Sequence, residues 1–162
     1  MSDCKCVCIE TGENMSKYLG EFLDDMTIKQ LNARESTVVV ATVSDDGYPN
    51  TTPVHLIIAK DSETLLLGLG LGHQATANIR LNPKIMISLC EKNDLNISIK
   101  CNARIICEKM DSNTGMCVVE AKVKAIKDDS THSKTVSGIR YVCKTDRGER
   151  FIREVFDELN EL

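Results

Sequence analysis

Residues 37–67, TVVVATVSDDGYPNTTPVHLIIAKDSETLLL, decide the fold class. Residues 37–43 are β-branched and nearly continuous, Asp45-Asp46-Gly47 is a tight-turn signal, and residues 50–59 are again extended in character, so the spacing predicts a hairpin. Lys60-Asp61-Ser62-Glu63 marks a second turn before Leu65-Leu66-Leu67. Three antiparallel strands therefore follow one another with no helix between them, which is a meander rather than a βαβ unit.

Working outward, residues 74–81 fit a short helix that Asn82-Pro83 ends, because a proline disfavours helix at the residue before it. Residues 84–90 read as a fourth strand, residues 95–106 alternate as a fifth, and the turn Asp111-Ser112-Asn113-Thr114-Gly115 leads to a sixth over 116–126. Residues 127–134 are polar and loop-like, and 136–142 read either as an additional strand or as an irregular crossover. Toward the C-terminus, Asp146 with Glu149 resembles a capping box, and Phe151, Ile152, Val155, Phe156 and Leu159 share one helical face. At the other end, Met15, Tyr18, Leu19, Phe22, Leu23 and Met26 recur at helical spacing. That predicts a first helix which Ile28, Leu31 and Ala33 continue after a break near Thr27. Residues 1–14 show no periodicity and read as a flexible cysteine-containing tail, leaving 15–162 as a single domain. The expected class is mainly β with α additions: six or seven antiparallel strands in a closed or partly closed barrel, with helices at both ends and one after the third strand.

Composition narrows the function. The 162 residues are 42% hydrophobic and 27% charged with a net charge of −4, the profile of an ordinary globular chain. No basic stripe offers itself to a nucleic-acid backbone, and no stretch is long enough to span a bilayer. Met1-Ser2-Asp3-Cys4 opens without a signal-peptide pattern, so a cytoplasmic location is expected. Eight cysteines then read as reduced thiols rather than a disulfide framework. Cys90, Cys101, Cys107, Cys117 and Cys143 lie in or beside apolar runs, where a thiol packs as a small hydrophobe. Cys4, Cys6 and Cys8 are thiolates that could gather a soft metal, but their spacing is not that of a zinc site; a reduced tail without metal is the expectation. Neither a nucleophile elbow nor a metalloprotease helix is present.

The glycine cluster Gly68-Leu69-Gly70-Leu71-Gly72-His73-Gln74-Ala75 joins a strand to a helix, where bare backbone and free N–H groups can cradle a phosphate. Gly70, Gly72 and Ala75 even satisfy the alanine-ending dinucleotide fingerprint. That fingerprint requires the first unit of a βαβ fold, and hairpins precede it here. A purely structural role, glycines serving a tight connection, is the bland alternative.

The order and local sequence of these elements resemble the FMN-binding split-barrel family related to pyridoxamine 5'-phosphate oxidase. The stretch 38–43 with Asp46-Gly47-Tyr48-Pro49 and Thr52-Pro53-Val54 is similar to that family's opening hairpin. Asn78-Ile79-Arg80-Leu81-Asn82-Pro83 and Ile85-Met86-Ile87-Ser88 look like its helix and fourth strand, and residues 97–103 like its fifth, with Cys101 where a glycine is usual. The likeness covers residues 37–110. It implies a split β-barrel homodimer with FMN between the subunits. By the resemblance Pro53, Val54 and His55 face the flavin ring, Gly68, Leu69 and Gly70 line its approach, and His73, Gln74 and Ala75 surround its phosphate. The family usually has a lysine where this chain has Gln74 and Ala75, so Arg80, Lys84 or a basic residue of the other subunit is left to supply the charge.

Each histidine also has a plain reading: His55 as a satisfied strand residue, His73 as a helix-start residue, His132 as a loop residue of no special role. The function implied is a flavoprotein, a flavin-dependent oxidoreductase acting on a small molecule, with no catalytic side chain assigned. True pyridoxamine-phosphate oxidation is not expected, because the C-terminal region lacks the arginine- and histidine-bearing pattern of that enzyme. The alternatives are a non-enzymatic module that binds FMN or another small ligand, or passes electrons to a partner, and a ligand-free structural dimer. No nucleic-acid or membrane partner is expected.

Overall fold

The computed structural model describes residues 17–162. The tail cysteines Cys4, Cys6 and Cys8, and Met15, lie outside the described residues. Eight strands and three helices follow in the order β1 (Lys17–Gly20), α1 (Asp25–Asn32), β2 (Val38–Val43), β3 (Pro49–Val54), β4 (Ile57–Ala59), β5 (Thr64–Gly70), α2 (Gln74–Leu81), β6 (Lys84–Glu91), β7 (Leu95–Cys107), β8 (Met116–Asp128) and α3 (Asp146–Glu161). All strand pairs are antiparallel, in the spatial order β3-β2-β6-β7-β8-β5-β4, with β1 added on β8. The sheet curls into a half-barrel, and the split-barrel expectation holds.

Alternation decides what faces in. Val38 and Val40 of β2, Ile85, Ile87 and Leu89 of β6, Ile97, Ile99, Cys101 and Ala103 of β7, and Val119, Ala121 and Val123 of β8 are buried in one interior cluster. Successive strand residues point to opposite faces, so their neighbours lie outside. Strands β4, β5 and β8 bury both faces: Ile57, Ala59, Leu65, Leu67, Leu69 and Val119 enter the barrel, while Ile58, Leu66 and Val118 pack with Leu56, Met110, Val155, Phe156 and Leu159 under α3. Burial on both faces is why residues 65–67 read as an unbroken apolar run.

Several boundaries differ from expectation. The helix expected from Met15 to Met26 is instead strand β1 followed by a loop and α1. Gly20 has φ +126°, a left-handed value that interrupts any helix. Asp24 then caps α1 by accepting from the Thr27 amide at 2.8 Å, so Thr27 lies inside the helix rather than at a break. Of the residues that carried the period, Tyr18, Leu19, Phe22 and Met26 are exposed and Leu23 is buried. The strand expected over 50–59 is two, because β3 pairs with β2 and β4 with β5. The chain changes partner at His55-Leu56. The 136–142 segment is the irregular crossover, pairing with the sheet among the described residues through one isolated β-bridge, between Thr37 and Ile139. Thr145, not Asp146, caps α3, its hydroxyl accepting from the Gly148 amide at 3.1 Å.

The cysteines divide by strand parity. Cys101 and Cys117 are buried, whereas Cys90, next to inward Leu89, is exposed, contrary to the packing expected of it; Cys107 and Cys143 are half-buried. Burial pushes the Cys101 thiol up to about 12 and the Cys117 thiol upward, and only a thiolate reacts. Iodoacetamide on the native protein at mild alkaline pH is therefore expected to label Cys90 and to spare Cys101 and Cys117 until denaturant is added, as read by peptide mass spectrometry.

Candidate functional site

The change of partner between β3 and β4 brings the end of β3 against β5 and the start of α3. Between them lies a cavity of about 190 Å³ lined by Pro53, Val54, His55, Leu56, Gly68, Leu69, Gly70, His73, Met116 and Phe151. Seven of the nine residues named from the sequence thus share one cavity. The two glycines are close-packed by side chains. A Cβ added at Gly68 would stand 3.0 Å from Val155 Cγ1, and one at Gly70 would stand 3.1 Å from His73 Cδ2. Both glycines let a side chain pack close on the strand, Val155 of α3 at Gly68 and the His73 ring at Gly70.

Gln74 and Ala75 lie outside that lining. The Ala75 side chain is fully buried. Gln74 is turned along its own helix, donating from Nε2 to Asn78 Oδ1 at 2.8 Å, and Asn78 donates in turn to Thr42 Oγ1 at 2.9 Å. Asn78 and Thr42 are buried, so this chain satisfies polar groups under α2. Arg80, one possible substitute for the missing cation, is bonded to both carboxylate oxygens of Glu108, at 2.8 and 2.5 Å. No lysine or arginine lines the cavity. His73 is the N-cap residue of α2 without a side-chain cap bond, and its ring lies over Gly70.

His55 stands at the corner. Its ring packs on Tyr141 with centroids 4.4 Å apart, and burial pulls its pKa below the usual histidine value. Tyr141 belongs to the crossover 129–144, a strap running from β8 to α3. Besides the Thr37–Ile139 bridge, hydrogen bonds pin the strap along its length. Thr135 donates from its amide to Asp94 Oδ1 at 2.8 Å; Arg140 donates to both oxygens of Glu91, at 2.7 and 2.8 Å; and the Tyr141 hydroxyl donates to the Arg34 carbonyl at 2.8 Å. Glu91 is fully buried. Burial acts to raise its pKa, but the hydrogen bonds from Arg140 and Ser36 and the Arg140 charge outweigh it and hold the carboxyl below the usual range.

Sequence reasoning missed Leu56, Met116, Phe151 and the Tyr141 contact. Phe151 carried a signal, its place on the apolar face of the last helix, but nothing local said where that helix docks. Tyr141 carried none. Among the described residues no group of three or more histidine, cysteine or acidic side chains could hold a metal, and no helix is long and apolar enough to cross a membrane.

The sequence profile described as pyridoxamine 5'-phosphate oxidase matches residues 25–143, from α1 through most of the strap and well beyond the 37–110 of the local likeness. No curated protein matches the chain by sequence. Among solved structures, a candidate pyridoxamine 5'-phosphate oxidase from Lactobacillus delbrueckii aligns with a TM-score of 0.57 at 20% identity, covering 68% of this chain and 98% of its own. An F420 reductase aligns with a TM-score of 0.52 at 16% identity over 60% and 94% of the two chains. An FMN-binding protein from Syntrophomonas wolfei aligns with a TM-score of 0.51 at 11% identity over 61% and 80%. At these identities the likeness concerns the fold.

Proposed function

Because the chain belongs to the pyridoxamine 5'-phosphate oxidase family, we propose that the cavity at Gly68 and Gly70 receives the ring of FMN in a homodimer, and that the protein is a flavin-dependent oxidoreductase acting on a small molecule. The observation that carries this reading is the cavity that gathers His55, Gly68, Gly70 and His73 against the apolar walls of Pro53, Val54, Met116 and Phe151. A flat aromatic ring fits such a surface. One protomer's 190 Å³ falls below the roughly 300–1,000 Å³ of sites that bury a drug-sized ligand, which supports a second subunit as the opposite wall. The same fold carries FMN in the Syntrophomonas wolfei protein.

When bound, FMN supplies electron or hydride transfer. The chain's own residues bind and orient. His73 and the first amides of α2 face a phosphate, as a helix N-terminus favours an anion. His55, kept neutral at pH 7 by burial and wedged on Tyr141, closes the ring end to water. The lack of a lining cation favours a second reading, a non-enzymatic module that binds FMN or another small ligand, or transfers electrons.

Flavin fluorescence titration tests the site. FMN and riboflavin are both expected to be quenched saturably, and absence of saturation with either overturns the reading. Gln74→Lys is expected to tighten FMN about tenfold by a charge-assisted bond to its phosphate and to leave riboflavin unchanged. The same substitution strips Asn78 Oδ1 of its donor, so the variant is expected to lose about 1–3 kcal/mol of stability. A thermal melt beside each titration separates the two effects. Reduction of the bound flavin by nicotinamide cofactors favours the enzyme; flavin binding without reduction favours the carrier.

A further inference from the structure

We propose that the mouth of the barrel beside α1 carries a separate site for a small amphipathic cation, an apolar body the size of a phenyl ring bearing an ammonium group. A cavity of about 280 Å³ opens there, just under the roughly 300 Å³ at which sites for drug-sized ligands begin, so its occupant is small. Its walls are Leu19, Phe22, Met26, Leu95, Ile97 and Ile126, its polar groups are Asp24, Thr27, Asp94 and Asp128, and no lysine or arginine is in the lining.

The sheet register builds this mouth. Asp128 lies opposite Ile97 across β7 and β8, and residues directly opposite share a face, so the last residue of β8 carries its carboxylate at the end of the interior stripe that Ile97 and Ile126 form. Leu19 is the extra residue where β1 shifts register against β8, Tyr18 facing Lys127 while Gly20 faces Ile126, and a bulge re-aims its side chain. Leu95, Ile97 and Ile126 are buried as the floor, whereas Leu19, Phe22 and Met26 are exposed around the opening. Large apolar side chains gathered in solvent by one short segment mark a contact site.

Thr27 is an independent pointer to a ligand. It lines the cavity although the residue is only 3% exposed. Its amide donates to Asp24 Oδ1 at 2.8 Å, but among the described residues its hydroxyl has no hydrogen-bond partner. A sequestered hydroxyl left without a partner is costly, and an ammonium group is a donor that satisfies it. The carboxylates set the sign of the charge. Asp24, Asp94 and Asp128 are each held by a backbone amide, of Thr27, Thr135 and Ser130 in turn, at 2.8 Å. Among the described residues none of the three is in a salt bridge. The Ser130 hydrogen bonds, and then the charge of Lys17 opposite it on β1, hold the Asp128 carboxyl below the usual carboxylate range, so it is ionised at pH 7. Asp25, in the first turn of α1, joins Asp24 in offsetting the partial positive charge of the helix start. The inference does not rest on the flavin reading: β8 begins with Met116 at the cavity of Gly68 and Gly70 and ends with Asp128 at this one, and the two share no residue.

The test is an amide-shift NMR titration of the full chain with phenethylamine and with phenylethyl alcohol, its neutral counterpart. Phenethylamine is expected to bind saturably, with shifts at residues 22–27, 94–97 and 126–128. Asp24→Asn with Asp128→Asn keeps the oxygens that accept the Thr27 and Ser130 amides and removes both charges; it is expected to weaken phenethylamine about tenfold and to leave phenylethyl alcohol unchanged. Thr27→Val, which removes the hydroxyl and keeps the shape, is expected to weaken both probes. Unchanged thermal midpoints show that the variants are folded. No saturable binding of phenethylamine overturns the proposal, as do shifts confined to the cavity of Gly68 and Gly70. Equal phenethylamine affinity in wild type and the double variant overturns it too. Binding only after removal of residues 1–16 assigns the cavity to a segment of this chain, and a wild-type dimer that Phe22→Glu dissociates, with no phenethylamine bound, assigns it to a second copy; either result overturns the proposal.

Discussion

Arg140→Ala is expected to lower the thermal midpoint by about 10 °C. Removing one partner of a buried ion pair costs about 3–5 kcal/mol because the other charge is left without compensation, and 1 kcal/mol moves the midpoint of a chain this size by about 2–4 °C. Here the group left behind is Glu91, fully buried, with Gly138 so close that an added Cβ would stand 2.6 Å from the Cys90 carbonyl oxygen. The Arg140 side chain is 39% exposed, so water partly replaces the guanidinium and the loss is expected near the lower end of that range. The pH dependence gives a second signature. In the wild type the folded pKa values of Glu91 and His55 are depressed below 4.5 and 6.5, so their stabilisation is complete above those unfolded values and is lost as pH falls through the folded ones. Without Arg140, burial dominates and raises the Glu91 pKa, so acid protonates the group in the folded variant and relieves it. The gap between variant and wild type is thus expected to narrow as pH falls from 7 toward 5, measured by thermal melts. A constant gap would show that Arg140 acts through packing alone. Because the strap also carries Tyr141 onto His55, flavin titration of the same variant is expected to weaken.

Phe156→Ala is expected to cost about 3–5 kcal/mol, the usual loss for emptying a buried phenyl site. Phe156 is 1% exposed among Leu56, Ile58, Leu66, Met110 and Val118, and the Arg34 guanidinium lies 5.1 Å from its ring centre. It is the anchor of α3. Urea unfolding measures the loss, and limited trypsin digestion shows where it acts: cleavage at Arg147, Arg150 and Arg153 is expected before any cut in the barrel. The detached helix takes Phe151 from the wall of the candidate cavity. Phe151→Ala, at a half-buried position, is expected to change flavin affinity with much less loss of stability. Equal urea midpoints for wild type and Phe156→Ala would mean that the helix is held by its other contacts, chiefly the Glu158 carboxylate that accepts from the Asp111 and Ser112 amides at 2.9 and 2.8 Å.

The meander, the glycine turn and the last helix were legible because each writes its period or its turn chemistry into adjacent residues. Seven of the nine residues named from the sequence share one cavity because they fall in two short segments, 53–55 and 68–73, that strand order alone brings near each other. What was not legible depends on distant partners. Residues 18–26 have a helical period and yet form a strand, a loop and only the first two residues of α1, because Gly20 interrupts them and β8 offers an edge. The irregular strap has no period at all; Glu91, far upstream, holds it. Gln74 was placed at a phosphate by position in the chain, whereas its amide is committed to Asn78, a contact decided by the buried Thr42 beneath.

The place of β8 in the sheet sets the order in which the molecule can be made. It pairs with β7 on one side, β5 on the other and β1 at its far end, yet it is the last strand to leave the ribosome. Until residue 128 is synthesised, β5 and β7 present open edges, the state in which nascent β proteins pair with one another. Non-local pairing of this kind also slows folding toward the millisecond-to-second range. Messages cut short before residue 116 should therefore yield aggregates rather than a smaller barrel, and slowing elongation just upstream of that point should raise the insoluble fraction.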